Sequence, residues 1–358
     1  MTIQPTAASA AKEGVLKRYG AFLPLTPDTP MITLGEGSTP LIRMTPLEDR
    51  TGAGEVWLKL EGCNPTGSFK DRGMVLAVAK AVEDGAHTVI CASTGNTSAA
   101  AAAYAARADI ECVVVVAATK VAWGKLVQTR SYNAQIVSID ADFDAGLKIA
   151  RELAERPGVT IVNSINEYRL EGQKTAAFEV SDALGDAPDE VFIPVGNAGN
   201  ISAYWAGFRQ YKDAGLTKST PVMRGFQAEG AASIVLGHSV RNPKTVASAL
   251  RIGDPANREK AERARDESGG SIEKVSDVQI LDAYRLLGGF GVFCEPASAA
   301  SVAGLLARAD LGLVRTDSRV ACVITGHGLK DPEVADAEYP PVVQSEANPA
   351  GVAAALRW

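Results

Sequence analysis

Lys70 closes the run Asn64-Pro65-Thr66-Gly67-Ser68-Phe69 and precedes Asp71-Arg72, so a Pro/Gly turn delivers one lysine to the start of a helical pattern. An ammonium group held there can lose hydration. Its pKa then falls and the free amine becomes a nucleophile able to form a Schiff base. Four other stretches carry compatible chemistry. Gly196-Asn197-Ala198-Gly199-Asn200 lies between an expected strand and an expected helix, where backbone N–H groups and a positive helix end suit a phosphate dianion. No G-x-x-x-x-G-K-[ST] occurs and the loop lacks G-x-G-x-x-G spacing, which argues against a nucleoside-triphosphate loop. Ser93-Thr94-Gly95-Asn96-Thr97 is a second strand-to-helix turn, whose hydroxyls, amide and N–H groups suit a carboxylate or the edge of a polar ring. Thr325 ends a strand before Gly326-His327-Gly328, where ligands of open α/β sheets bind. Asn163, Ser164 and Arg169 follow another strand, and the arginine can clamp an anion bidentately.

Each stretch alone has an ordinary explanation: a plain turn, an N-cap, a solvated arginine, a surface lysine. Their common placement at the edges of two α/β sheets makes the case. From Phe69 to Val162, helical spacing over Phe69–Glu83, Thr97–Ala108, Lys125–Arg130 and Phe143–Glu155 alternates with apolar runs at 88–91, 112–116, 135–139 and 159–162. Alternating βα units mean a parallel sheet covered on both faces. The pattern resumes after Glu171, with strands expected at 190–195, 222–228 and 319–325 and helices at 171–184, 201–212, 278–287 and 297–308. The charged stretch Asn257–Gly270 reads as a surface excursion, and the Pro- and Ala-rich tail after Pro340 as a surface segment. The expected fold is α/β, with two domains, each a mostly parallel twisted sheet flanked by helices, and a cofactor in the cleft between them. The smaller domain would be 61–165; the larger would be discontinuous, 1–60 plus 166–358.

The 358 residues are enough for two such domains, and a net charge of −6 is unlike a nucleic-acid binder. No apolar run is long enough to span a bilayer, and Met1–Gly20 lacks the apolar core of a leader, so a cytoplasmic protein is expected. The scattered Cys63, Cys91, Cys112, Cys294 and Cys322 read as small core residues, and His87, His238 and His327 show no metal-ligand spacing. No metal site is expected.

Taken together, 64–72, 93–97, 163–175, 196–200, 295–300 and 325–332 resemble the threonine synthase family, pyridoxal-phosphate enzymes of fold type II related to the tryptophan synthase β type. The resemblance runs from about Thr33 to Pro332. It implies that Lys70 forms the Schiff base with pyridoxal 5'-phosphate and later moves protons at the substrate's Cα and Cβ. Asn96 would bond the cofactor's 3-hydroxyl, Gly196, Asn197, Ala198, Gly199 and Asn200 would cradle its phosphate, and Thr325 would face the ring nitrogen. A neutral hydroxyl there leaves that nitrogen less protonated than an aspartate would. Ser93, Thr94 and Thr97 would hold the substrate carboxylate; Asn163, Ser164 and Arg169 would hold its phosphate. The implied reaction turns O-phospho-L-homoserine and water into L-threonine and phosphate, in a homodimer. Glu61 and Glu295 are the acidic residues nearest this chemistry, and structural pairing is their default role.

The chain departs from the usual family pattern at His327, where asparagine is common, at Ala118–Lys125 with its bulky Trp123, and around Ser131–Asn133 and Leu287–Gly291. These departures bear on the γ-substituent and the incoming nucleophile rather than on the cofactor. A related enzyme carrying out another β- or γ-replacement or a serine/threonine dehydration is therefore the second expectation, and a cofactor-free amino-acid sensor the third.

Overall fold

The computed structural model describes residues 13–118, 123–340 and 342–358. Most of the loop reading at Ala118–Lys125, with the Trp123 side chain, lies outside the described residues. Among the described residues ten strands form two sheets. One has the order β5-β4-β3-β6, all parallel, from β3 (Thr88–Ala92), β4 (Glu111–Ala117), β5 (Gln135–Ile139) and β6 (Val159–Ile161). The other has the order β1-β2-β10-β7-β8-β9, from β1 (Leu41–Arg43), β2 (Glu55–Leu60), β7 (Glu190–Pro194), β8 (Val222–Ala228), β9 (Ser271–Val275) and β10 (Arg319–Ile324). Only β1 runs antiparallel there, against β2. The inner strands β3 and β7 are buried along their whole length, as expected of parallel strands covered on both faces.

The helices before the second sheet resumes are α1 (Gly14–Arg18), α2 (Thr45–Thr51), α3 (Lys70–Glu83), α4 (Asn96–Arg107), α5 (Trp123–Ser131), α6 (Phe143–Leu153), α7 (Glu167–Gln173) and α8 (Thr175–Leu184). After it come α9 (Gly199–Asp213), α10 (Ser233–Leu236), α11 (Arg258–Glu267), α12 (Asp277–Gly289), α13 (Pro296–Asp310), α14 (Pro332–Glu338) and α15 (Pro349–Leu356). Alanine, the strongest helix former, fills α4, and its small side chains let the helix bury Ser98 to Ala105 without a bulky interface. A Ser276/Gln279 capping box starts α12.

The expectation for Asn257–Gly270 is corrected. Most of it is α11, whose Ala261 and Ala264 are fully buried in a cluster with Tyr204, Trp205 and Phe208 of α9. Two alanines three residues apart are too faint an apolar stripe to find among ten residues otherwise charged. The strands β1, β2 and β9 and the helix α2 are further elements that periodicity did not reveal.

Strand order places the loops. In the small sheet β3, β4 and β5 step outward one way, and β6 returns to the other side of β3. In the large sheet β7, β8 and β9 step outward, and β10 returns between β7 and β2. Each reversal leaves a crevice at the carboxyl ends of two neighbouring strands. The four strands that flank these reversals are β3, β6, β7 and β10. They lead into Ser93–Thr97, Asn163–Arg169, Gly196–Asn200 and Thr325.

Candidate active site

The turn before Lys70 is tied to the end of β10. Phe69 N–H donates to Thr325 O at 3.0 Å, and His327 N–H donates to Gly67 O at 2.9 Å. Gly67 takes φ +86°, a left-handed conformation that favours glycine. Asp71, next to Lys70, accepts from Thr66 N at 2.6 Å and from the Thr66 hydroxyl, which closes the turn on itself. Arg72, fully buried, donates to Glu61 at 2.6 and 2.8 Å and to Glu179 at 2.9 and 2.6 Å. Glu61 is thus a structural partner of Arg72. Removing one member of such a buried set costs about 3–5 kcal/mol, so the helix start carrying Lys70 is held firmly.

Two glycines bring a second cation close. A Cβ on Gly73 of α3 would lie 2.4 Å from Arg169 O, and one on Gly172 of α7 would lie 2.1 Å from Arg72 O. The two helices therefore touch backbone to backbone. Arg169, read from sequence as a solvated charge by default, is fully buried. Its Nη1 donates to Val162 O at 2.8 Å, and Nε and Nη2 have no partner. Burial pushes its guanidinium down to about 10. Lys70 is brought down to about 7, by burial first and by the Arg169 charge second, with Glu295 opposing. Half-buried, with Nζ 4.1 Å from the Phe69 ring centroid, it is an amine poised near neutrality.

Asn96 begins α4 and donates from Nδ2 to Glu295 Oε2 at 3.0 Å. Thr325 donates to Glu295 Oε1 at 3.1 Å and lies 2.9 Å from Ser298 Oγ. One carboxyl group thus joins the turn after β3 to the end of β10. Ser93 Oγ accepts from Gly95 N–H at 3.2 Å, and Ser93, Thr94 and Thr97 are all half-buried around that turn.

The Gly196–Asn200 loop opens α9 with no side-chain cap, and Ala198 sits at φ 64°. A Cβ on Gly196 would meet Ala249 O at 2.8 Å. Uncapped N–H groups of a first turn need an acceptor. Both amide atoms of buried Asn200 lack a partner. The open N–H groups of this turn and of Asn200 Nδ2 fit a phosphate, as do those of Arg169 Nε and Nη2. Ser164 Oγ bonds Asn197 Nδ2, and Asn257 donates at 3.3 Å to both Ser164 O and Asn197 O. Asn163 bonds the backbone of Ala92, accepting from N and donating to O at 2.9 Å each, which leaves one Nδ2 proton over. It shapes the approach to Ser93. His327 Nδ1 accepts from Leu329 N–H at 3.2 Å, and its ring meets Phe293 edge-on at 5.4 Å.

Sequence reading did not single out Ser298 or Asn257. Ser298 lay within the quoted 295–300 stretch. Asn257 opened the segment taken for a surface excursion, so nothing local pointed to it. Among the described residues no group of histidine, cysteine and acidic side chains is arranged to hold a metal.

A family profile described as pyridoxal-phosphate dependent enzyme matches residues 32–326. The threonine synthase of Halalkalibacterium halodurans is 55% identical over 323 residues, covering 90% of this chain and 91% of that one. The threonine synthase of Mycobacterium tuberculosis is 51% identical over 354 residues, covering 98% of each. Among solved structures, threonine deaminase isoform 2 from Solanum lycopersicum superposes with a TM-score of 0.74 at 22% identity, over 93% of this chain and 89% of that one. Maize serine racemase gives 0.71 at 21% identity, over 84% and 91%. At a fifth of residues shared, the deaminase and racemase speak for the fold alone.

Proposed function

We infer the reaction from kinship: this chain belongs to the pyridoxal-phosphate-dependent enzyme family, and it converts O-phospho-L-homoserine and water into L-threonine and phosphate. Relatives that share about half of all positions over nearly the whole chain are threonine synthases, and they favour this reaction over dehydration. Pyridoxal 5'-phosphate supplies an aldehyde that captures an amine and a ring that accepts electron density from Cα.

The assignment of residues is a proposal. Lys70 holds the cofactor, and its amine, brought down to about 7, takes protons from the substrate's Cα and Cβ and returns one to Cγ and one to Cα. Arg169 offers Nε and Nη2 to the phosphate, so that the Cγ–O bond breaks beside a positive charge. Ser164 shares this subsite, and Asn163 supports it through Ala92. Ser93, Thr94 and Thr97 hold the carboxylate. Asn96 takes the cofactor's phenolic oxygen, Thr325 its ring nitrogen, and Gly196 to Asn200 its phosphate. Water adds at Cβ, and the departing phosphate is the group best placed to accept its proton. The observation that carries the substrate class is Arg169, a buried guanidinium with two unused donors on the helix packed against that of Lys70.

The proposed division at 61–165 is supported by strand membership: β3 to β6 fall inside it and the other described strands outside. A cytoplasmic homodimer remains part of the proposal. No helix among the described residues is long and apolar enough to cross a membrane. Light scattering of the purified protein checks the dimer. Phosphate release and threonine formation, followed together from O-phosphohomoserine, test the reaction. Keto-acid production from threonine with no phosphate release from O-phosphohomoserine would sink it.

A further inference from the structure

Glu295 is buried between the two sheets and reaches groups on both sides of the cleft. Its carboxyl packs on Gly326, where a methyl group would lie 2.5 Å from Oε1. The hydrogen bonds around it can be counted. The Thr325 hydroxyl has one proton and two lone pairs. Its described partners are Glu295 Oε1 at 3.1 Å and Ser298 Oγ at 2.9 Å. Ser298 Oγ already accepts from Gly326 N–H at 2.9 Å. Thr325 donates its one proton to Glu295 Oε1. Ser298 Oγ has two acceptors within reach, Thr325 Oγ1 at 2.9 Å and Gly326 O at 3.3 Å; whichever takes its proton, at least one Thr325 lone pair is left over. Asn96 Nδ2 has two protons, and the one not given to Glu295 remains for a ligand.

We propose that Glu295 is a positioning residue: by holding the Thr325 proton it makes Thr325 an acceptor toward the cofactor's ring nitrogen and favours that nitrogen's protonated form. A free hydroxyl at this place would donate instead and favour the unprotonated ring. The inference rests on the reading that Thr325 faces the nitrogen. The charged neighbours of Glu295 are Lys70, Lys330 and Asp331, with Cys294 adjacent in sequence. Burial raises its carboxyl, and the bonds from Asn96 and Thr325, with Lys330, act to keep it charged.

The test uses holoenzyme carrying cofactor isotopically labelled at the ring nitrogen, whose resonance lies far upfield when protonated. In Glu295→Gln the amide oxygen takes the Asn96 N–H and the amide nitrogen donates to Thr325, releasing the Thr325 proton to the ring, so the resonance moves downfield. Thr325→Ala, which removes the acceptor, also moves it downfield. Ser298→Ala leaves the hold of Glu295 intact, so the resonance stays or moves upfield. An unchanged resonance in Glu295→Gln beside a shifted one in Thr325→Ala overturns the role of Glu295 and leaves the site reading standing. An unchanged resonance in Thr325→Ala overturns the site reading itself. Should Glu295→Gln fail to fold, Ser298→Ala decides: a downfield shift there means Ser298 had held the proton, and the proposal is wrong.

Discussion

Replacing Arg169 with methionine separates what the arginine does for the fold from what it does for the substrate. In the folded protein it makes one side-chain hydrogen bond, to Val162 O, and leaves Nε and Nη2 unpaired at no solvent exposure. A buried charge so poorly satisfied contributes little stability, and an apolar residue of similar volume is often neutral or better by about 1–4 kcal/mol. Orphaning the Val162 carbonyl costs roughly 1–3 kcal/mol in return. The two terms nearly cancel, so Arg169→Met should unfold in urea within about 1–2 kcal/mol of the parent. Catalysis should respond very differently. Two charge-assisted bonds to a phosphate are worth about 1.5–3 kcal/mol each. Their loss lowers kcat/KM for O-phosphohomoserine by roughly a hundredfold to ten-thousandfold. The assays are urea unfolding of the cofactor-free protein and steady-state phosphate release. Retention of kcat/KM within a few-fold would refute the phosphate role. A loss of about 3–5 kcal/mol in stability would mean instead that Arg169 belongs to a satisfied buried pair.

Three further outcomes are expected. Lys70→Met should stabilise the cofactor-free protein near neutrality. The folded pKa of Lys70 is about 7 against 10.5 for the free side chain, so the parent carries the cost of a buried charge fully below 7 and sheds it as pH rises toward 10.5. Urea midpoints at about pH 7 and about pH 10 should converge for the two proteins; a constant gap would mean the Lys70 pKa is not depressed. Gly73→Ala should lose stability and substrate affinity together, because its Cβ would lie 2.4 Å from Arg169 O and force α3 and α7 apart. A cost of about 1–3 kcal/mol in thermal unfolding, with a raised KM, is the expected reading. Asn200→Ala should leave the cofactor-free protein no less stable, since its amide atoms have no partner to lose. It should weaken pyridoxal phosphate binding by roughly tenfold in a fluorescence titration, the worth of about one hydrogen bond.

The βα alternation from Phe69 to Val162 and the strands at 190, 222 and 319 were legible, because apolar periodicity reports burial over a few residues. The α11 helix was not, since its buried face is two alanines set among charges. The strands β1, β2 and β9 are only partly buried and mix charged with apolar residues, so no continuous apolar run marks them. Within the site, the lysine turn and the glycine loop announced themselves through backbone demands that belong to those residues alone, such as the positive φ at Gly67. The side chains around them were named from resemblance, and their surroundings lay beyond local reading. Asn163, read as a substrate residue, also holds the backbone of Ala92. Arg169 was named as an anion clamp, but its full burial was not legible. Glu295 looked like a paired acid, and it bonds Asn96, 199 residues away in the chain, as well as Thr325.

The residue order by itself determined where this chain can turn, where it offers a free amine and where it offers bare N–H groups, because those properties depend on φ, on proline and glycine, and on the chemistry of single side chains. The tertiary structure alone decided which of them are charged and which are partnered. Desolvation and hydrogen-bond satisfaction are set by what packs alongside, and here that is a glycine-to-glycine contact of α3 with α7, the return of β6 to the far side of β3 and the return of β10 between β2 and β7.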